Sequence, residues 1–179
     1  MTRAIKSALV GTGLAGLLAA CATGTPEPAV PAFDTAAAVR AVRAAGEVDD
    51  KELSVQPLRD PQVEDLRQDA VALEARGMVQ GAADALDRAL AITPDDPALL
   101  QERAELALLL GDTGMAAQLA TRAFELGSQV GPLCRRHWET IAQVRLATPS
   151  PAEGAPAAAS VEQARERRDA CTVAPPPRF

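Results

Sequence analysis

Between Asp60 and Ala147, small and apolar residues recur at helical spacing, and the pattern then returns 34 positions later. Leu66, Ala70 and Leu73 share one face of a first segment, and Ala82, Leu86, Ala89 and Leu90 share one face of a second. Leu100, Ala104 and Ala107 repeat the first segment, and Ala116, Ala120, Ala123 and Phe124 repeat the second. Setting Val63 to Asp96 against Pro97 to Val130 pairs Leu66 with Leu100, Ala70 with Ala104, Gly77 with Gly111, Ala82 with Ala116 and Ala89 with Ala123. The punctuation repeats as well. Asp60-Pro61 and Asp96-Pro97 are helix starts, in which the aspartate accepts from free amides and the proline supplies a preset φ. Gly77 and Gly111 mark turns where a left-handed residue costs least. Thr93 and Pro94 end the second helix, and Gly127 ends the fourth.

The flanks add three further helices to the expectation. Asp34 or Thr35 caps a segment, AAAVRAVRAA, that stops at Gly46 and offers Val39 and Val42 to a neighbour. It buries too little alone, so it should lean on the repeats. Lys51 to Leu58 reads as an ordered linker, and the acidic run around Asp49 and Asp50 as a solvated loop. Gly131 and Pro132 start a helix through Ala147 with Leu133, Trp138, Ile141 and Val144 available for packing. Trp138 stands in register with Ala70 and Ala104 and is too large for a close helix crossing, so this helix is expected to cap the stack. Residues 148 to 159 read as a Pro- and Ala-rich loop, after which Ser160 and Gln163 form a capping box for a last helix through Arg168. Aromatic residues make up only 2% of the chain and there is no Tyr, while Ala and Leu dominate. The fold class is therefore all-α.

A 34-residue helix-turn-helix period with these small-residue matches resembles the tetratricopeptide repeat. Ala70, Ala82, Ala104 and Ala116 stand at the family's closest helix contacts, and Pro94 at its terminal proline. The resemblance implies a short stack of helical hairpins, with capping helices at its ends, since each repeat exposes an apolar side. Leu73, Ala107, Leu86 and Ala120 replace the family's bulky aromatic residues, and Ser128 replaces its second proline. The second repeat should therefore be thin or lean on something else. A generic Ala-rich bundle of hairpins is the alternative.

The N-terminus changes the picture. Arg3 and Lys6 precede an uncharged run, Ala8 to Ala20, of 13 residues. Such a run is too short for a membrane-spanning helix, which needs roughly 20 residues, but suits a signal peptide. Leu18, Ala19, Ala20 and Cys21 resemble a bacterial lipobox, which implies cleavage before Cys21 and acylation of its thiol. An ordinary secretory signal with an incidental Cys is the alternative. Ala22, where some bacterial families place Asp for inner-membrane retention, points by resemblance to the outer membrane, facing the periplasm. Residues 22 to 32, with three Pro, form a spacer on the order of 30 Å long in the polyproline II form. The expected organisation is signal peptide 1–20, lipidated Cys and tether 21–32, N-terminal helix and linker 33–60, repeats plus capping helix 61–147, and loop, last helix and Pro-rich tail 148–179. Net charge is −6 for the whole chain and −8 for residues 21–179. That sign excludes nucleic acid as a natural partner.

Cys134 and Cys171 are the remaining cysteines, and a pair in an oxidising compartment is expected to be bridged. Their distances from the 148–159 loop, roughly 20 and 16 Å along two helices, bring them to the same end of an antiparallel hairpin. His137, beside Arg135 and Arg136, is expected to be partly exposed, and no metal or other cofactor is expected. No phosphate loop, nucleophile elbow or paired-histidine zinc motif occurs, so the reading is a binding protein and not an enzyme. In the repeat family the groove is lined by the first helix of each pair. By resemblance, that surface holds Arg67, Gln68, Val71 and Glu74, then Gln101, Glu102, Glu105 and Leu108, then Arg135, Arg136 and Glu139. Partner contacts are expected at Arg67, Glu74, Gln101, Glu102, Glu105, Arg135 and Arg136. Arg67 and Arg136 match two basic positions of the carboxylate clamps in this family, but Val71, Glu102 and Pro132 depart from the pattern. The leading functional expectation is a lipid-anchored periplasmic adaptor for an envelope protein or peptide. The alternatives are an accessory factor of a peptidoglycan-active enzyme, or a purely structural lipoprotein.

Overall fold

The computed structural model describes residues 33–47, 59–148 and 157–172. The signal segment, Cys21, the tether, most of the linker, the end of the chain and much of the 148–159 loop lie outside the described residues. Within them are seven helices and no strand: α1 (Thr35–Ala45), α2 (Pro61–Ala75), α3 (Val79–Ile92), α4 (Pro97–Leu109), α5 (Thr113–Leu126), α6 (Gly131–Ala147) and α7 (Ala157–Ala170). None of these helices is long and apolar enough to cross a membrane.

Four of the seven helix starts, those of α1, α2, α4 and α5, are set by aspartates. Asp34 Oδ1 accepts from the amide of Ala37 at 2.8 Å, Asp60 from Gln62 at 2.8 Å, Asp96 from Ala98 at 2.8 Å and Asp112 from Met115 at 2.9 Å. Each answers an amide that has no partner inside its helix. The 34-residue period survives in the turns. The amide of Gly77 donates to Glu74 O and that of Met78 to Leu73 O, and Gly111 and Asp112 donate in the same way to Leu108 O and Ala107 O. This is one left-handed helix stop made twice, with φ of 77° at Gly77 and 80° at Gly111.

Helix α2 pairs with α3, α4 with α5 and α6 with α7, while α3 packs on α4 and α5 on α6. Helix α6 closes the stack against α5 and forms with α7 the hairpin expected from the two cysteines. Trp138 of α6 lies where α5 and α7 meet that helix. It turns towards Phe124 of α5, edge to face with ring centroids 5.1 Å apart, and the Arg167 guanidinium lies 5.8 Å from its ring. Cys134 and Cys171 form a disulfide with Cα atoms 5.8 Å apart, and the Gly131 amide donates to Cys171 O at 2.7 Å. The last helix begins at Ala157, before the expected capping box, so Ser160 lies within it and its carbonyl accepts from Arg145.

The core is divided in three. Val63, Ala70, Ala82, Leu86, Leu99 and Leu106 fill the first hairpin and its junction with α4. Ala38, Val39 and Val42 of α1 pack on Ala107, Leu108, Ala116 and Val144. Ala142, Val161 and Ala164 join α6 to α7. Ala70, Ala82, Ala104 and Ala116 are all buried, which lets the paired backbones approach. The thin place at Ala107 is covered by α1, which leans on α4 and α6.

Candidate partner-binding cleft

The first helices of the three hairpins share one side of the stack, and α1 lies across part of it. Between α2 and α4 a cleft of about 200 Å³ stays open. Ala70, Leu86 and Leu106 line it with buried apolar surface, and Val71, 58% exposed, stands among its lining residues. Arg43, Arg67, Glu74, Glu102, Glu105 and Arg136 supply its charge.

Those charges are matched in pairs. Arg67 Nε reaches both oxygens of Glu102, at 2.7 and 2.8 Å, and Nη1 lies 3.4 Å from Glu64. The hydrogen bond to Glu102 raises the Arg67 pKa further above its usual range, against the effect of burial. Arg43, from α1, puts Nε 3.0 Å from Glu105 Oε2, while Nη1 and Nη2 meet Glu74 at 2.9 and 3.0 Å. Burial alone would lower its pKa, but the hydrogen bonds to Glu74 and Glu105 outweigh that and raise it. Arg136 Nε donates to Glu105 Oε1 at 2.9 Å. The arginines of this cleft are therefore all answered by carboxylates, and a peptide C-terminus would find no uncompensated cation there. The departures from the clamp pattern at Val71 and Glu102 have this physical outcome.

Two expected partner contacts need correction. Gln101 and Glu105 are fully buried and committed to internal bonds. Gln101 Nε2 donates to Glu105 Oε1 at 3.0 Å and to Thr140 Oγ1 at 2.8 Å, leaving its carbonyl oxygen facing His137 Nδ1 at 2.7 Å. That oxygen can only accept, so Nδ1 carries the proton. His137 is fully buried rather than partly exposed, and its Nε2 has no hydrogen-bond partner among the described residues. Desolvation, with the Arg136 charge second, lowers its pKa to about 3. This polar network joins α4 to α6 through the middle of the stack. Glu139 is buried too, held by Gln143 Nε2 and Arg168 Nη1, both at 2.7 Å.

Arg67, Glu74 and Glu102, three of the residues named from the sequence, line the cleft, and Glu74 has in Arg43 a partner that the sequence reading missed. The available signal was the spacing of Val39, Val42 and Arg43 on a helix already expected to lean on the repeats. Arg135 turns to α1, where Nε donates to Ala45 O at 2.9 Å and Nη2 to Glu47 O at 3.1 Å. No group of three or more His, Cys, Asp and Glu placed to hold a metal ion occurs among the described residues.

No protein-family profile matches the chain, and no curated protein matches it. Among solved structures, the globular C-terminal domain of P. aeruginosa LpoP is similar, with 30% sequence identity and a TM-score of 0.52. The match covers 60% of this chain and 99% of that one.

Proposed function

This chain belongs to the same domain family as the globular C-terminal domain of LpoP, and from that premise we propose that it is an accessory lipoprotein of a peptidoglycan-active enzyme. On this reading, Cys21 carries the lipid anchor in the outer membrane and the hairpin stack is a tetratricopeptide-like module facing the periplasm. The module binds a synthase and raises its activity. The observation that carries the reading is the likeness to LpoP over nearly the whole of that domain, at an identity that goes beyond a shared arrangement of helices. The broader reading of an adaptor for a secretion, pilus or assembly machine draws on the repeat alone and is less supported.

The cleft between α2 and α4 is the proposed contact. Its apolar floor and mixed-charge rim suit one apolar side chain of a partner segment whose flanking polar groups exchange with the Arg67–Glu102 and Arg43–Glu74 pairs. Net affinity would come from the buried apolar anchor, and orientation from the charges. The test is glycan polymerisation by the purified synthase of the same envelope, followed with and without the mature protein. Wild type should accelerate the reaction, and Val71→Asp should bind and accelerate less while unfolding at the same temperature. A synthase that neither binds the wild type nor changes rate would refute the proposal.

A further inference from the structure

Helix α1 belongs to none of the three hairpins. It packs mainly on α6 and α4, with Ala116 of α5 beside Ala38, Val39 and Val42, the three of its 11 residues that are buried. A helix of this length has little persistence by itself, so it is helical because it is docked. Its polar attachments are those of a bound peptide. Arg43 reaches between Glu105 of α4 and Glu74 of α2. Arg135 of α6 grips the carbonyls of Ala45 and Glu47 just where α1 ends. Gly46 lies so close to α6 that an added Cβ would stand 2.5 Å from both Cγ and Cδ of Arg136.

The receptor surface does not need α1 to satisfy its own buried polar groups. Glu105 keeps Arg136 and Gln101 as donors when Arg43 is withdrawn. Glu74 is already partly exposed and would be solvated. What departure would uncover is an apolar strip at Ala107, Leu108 and Val144, with carboxylates at Glu74 and Glu105 beside it.

We propose that α1 is a displaceable intramolecular ligand of the groove, holding on α4 and α6 the place of a partner helix with the same pattern. That pattern is small or β-branched apolar residues at i, i+1 and i+4, from Ala38, Val39 and Val42, followed by an arginine at i+5, from Arg43. The partner is thus a basic-ended amphipathic helix, and its apparent affinity is reduced by the fraction of molecules with α1 in place. This surface shares Arg43, Glu74 and Glu105 with the rim of the α2–α4 cleft but not its floor of Ala70, Leu86 and Leu106, and the inference stands whichever enzyme the protein serves.

The test needs only this protein and a synthetic peptide of residues 33–47. Amide hydrogen exchange on the wild-type chain should show α1 opening locally, with exchange roughly 100-fold faster than in the middle of α4. In the full chain carrying Val42→Asp, where α1 cannot dock, the labelled peptide should bind about tenfold or more tighter than to wild type. A peptide carrying Arg43→Glu should bind neither chain. If α1 exchanges together with α4, it is a permanent part of the core and the proposal fails. Loss of α2–α7 helicity in the Val42→Asp chain, or failure of that chain to bind the wild-type peptide, overturns it equally.

Discussion

Lowering the pH from 7 to 5 should weaken the fold by about 2 kcal/mol, nearly all of it through His137. The ring is fully buried, with Nδ1–H given to Gln101 and Nε2 without a partner among the described residues. Its folded pKa is lowered to about 3, by desolvation first and Arg136 second, against an unfolded value near 6.5. The unfolded chain therefore takes up a proton in a range where the folded one refuses it. Stability is fully present above about pH 6.5 and falls as the pH drops towards 3, with a slope approaching 1.4 kcal/mol per pH unit. The chain contains a single His, and ordinary side-chain carboxylates titrate mostly below pH 5, so the window between 7 and 5 isolates this group. Urea unfolding at pH 7, 6 and 5 measures the effect, and 2 kcal/mol moves the midpoint by roughly 1 to 2 M. His137→Asn is the control. It keeps an N–H for Gln101 and removes the titration, so it should start less stable at pH 7 yet lose almost nothing by pH 5. Parallel pH profiles for wild type and His137→Asn would refute the reasoning, as would an imidazole NMR signal titrating near 6.5 in the folded protein.

Three further outcomes follow from the same structure. Glu105→Ala should cost about 3 to 5 kcal/mol, because a fully buried carboxylate serving Arg43, Arg136 and Gln101 is removed and its donors are left in place; equilibrium urea unfolding at pH 7 gives the value. Replacing both Cys134 and Cys171 by Ala should cost about 3 to 4 kcal/mol on the loop-entropy account for a separation of 37 residues, read in the same titration. Gly77→Ala and Gly111→Ala should each cost about 1 to 2 kcal/mol, since both occupy left-handed backbone in the same turn. Because the two turns lie in different hairpins, the thermal shifts of the single variants should add in the double variant.

The hairpins were legible because backbone geometry dictates their markers. An Asp before Pro, a Gly at a left-handed stop and an Ala at a close crossing each answer a local requirement, and a period of 34 makes the requirement visible twice. The disulfide was legible because two helix lengths and a loop fix which ends meet. Side-chain direction in the groove was not. Gln101, Glu105 and His137 sit on the helix faces that a repeat pattern assigns to the groove surface and its neighbours. Their burial comes with the packing of α6 on α4, where Gln101 meets His137 and Thr140 and Glu105 meets Arg136. Polar residues give no sign in one dimension that their partners will come from 31 to 39 positions away, as Arg136, His137 and Thr140 do for Glu105 and Gln101. The start of α7 was misjudged for a simpler reason. Ser160 and Gln163 carry the spacing of a cap, but the alanines before them are good helix formers and extend the helix upstream.

The two ends of the hairpin row bear on how the molecule behaves when crowded on a surface. At one end α2 turns Asp65, Gln68 and Asp69 to solvent, and at the other α7 turns out Glu162, Gln163 and Glu166, with Val161 and Ala164 used inward. Among the described residues the outward face of either helix is mostly polar, Val71 of α2 excepted. A polar outward face is a poor seat for a further hairpin, which would bring an apolar side to it. Among the described residues the row is three hairpins long, and its polar ends favour discrete neighbours over one extended solenoid.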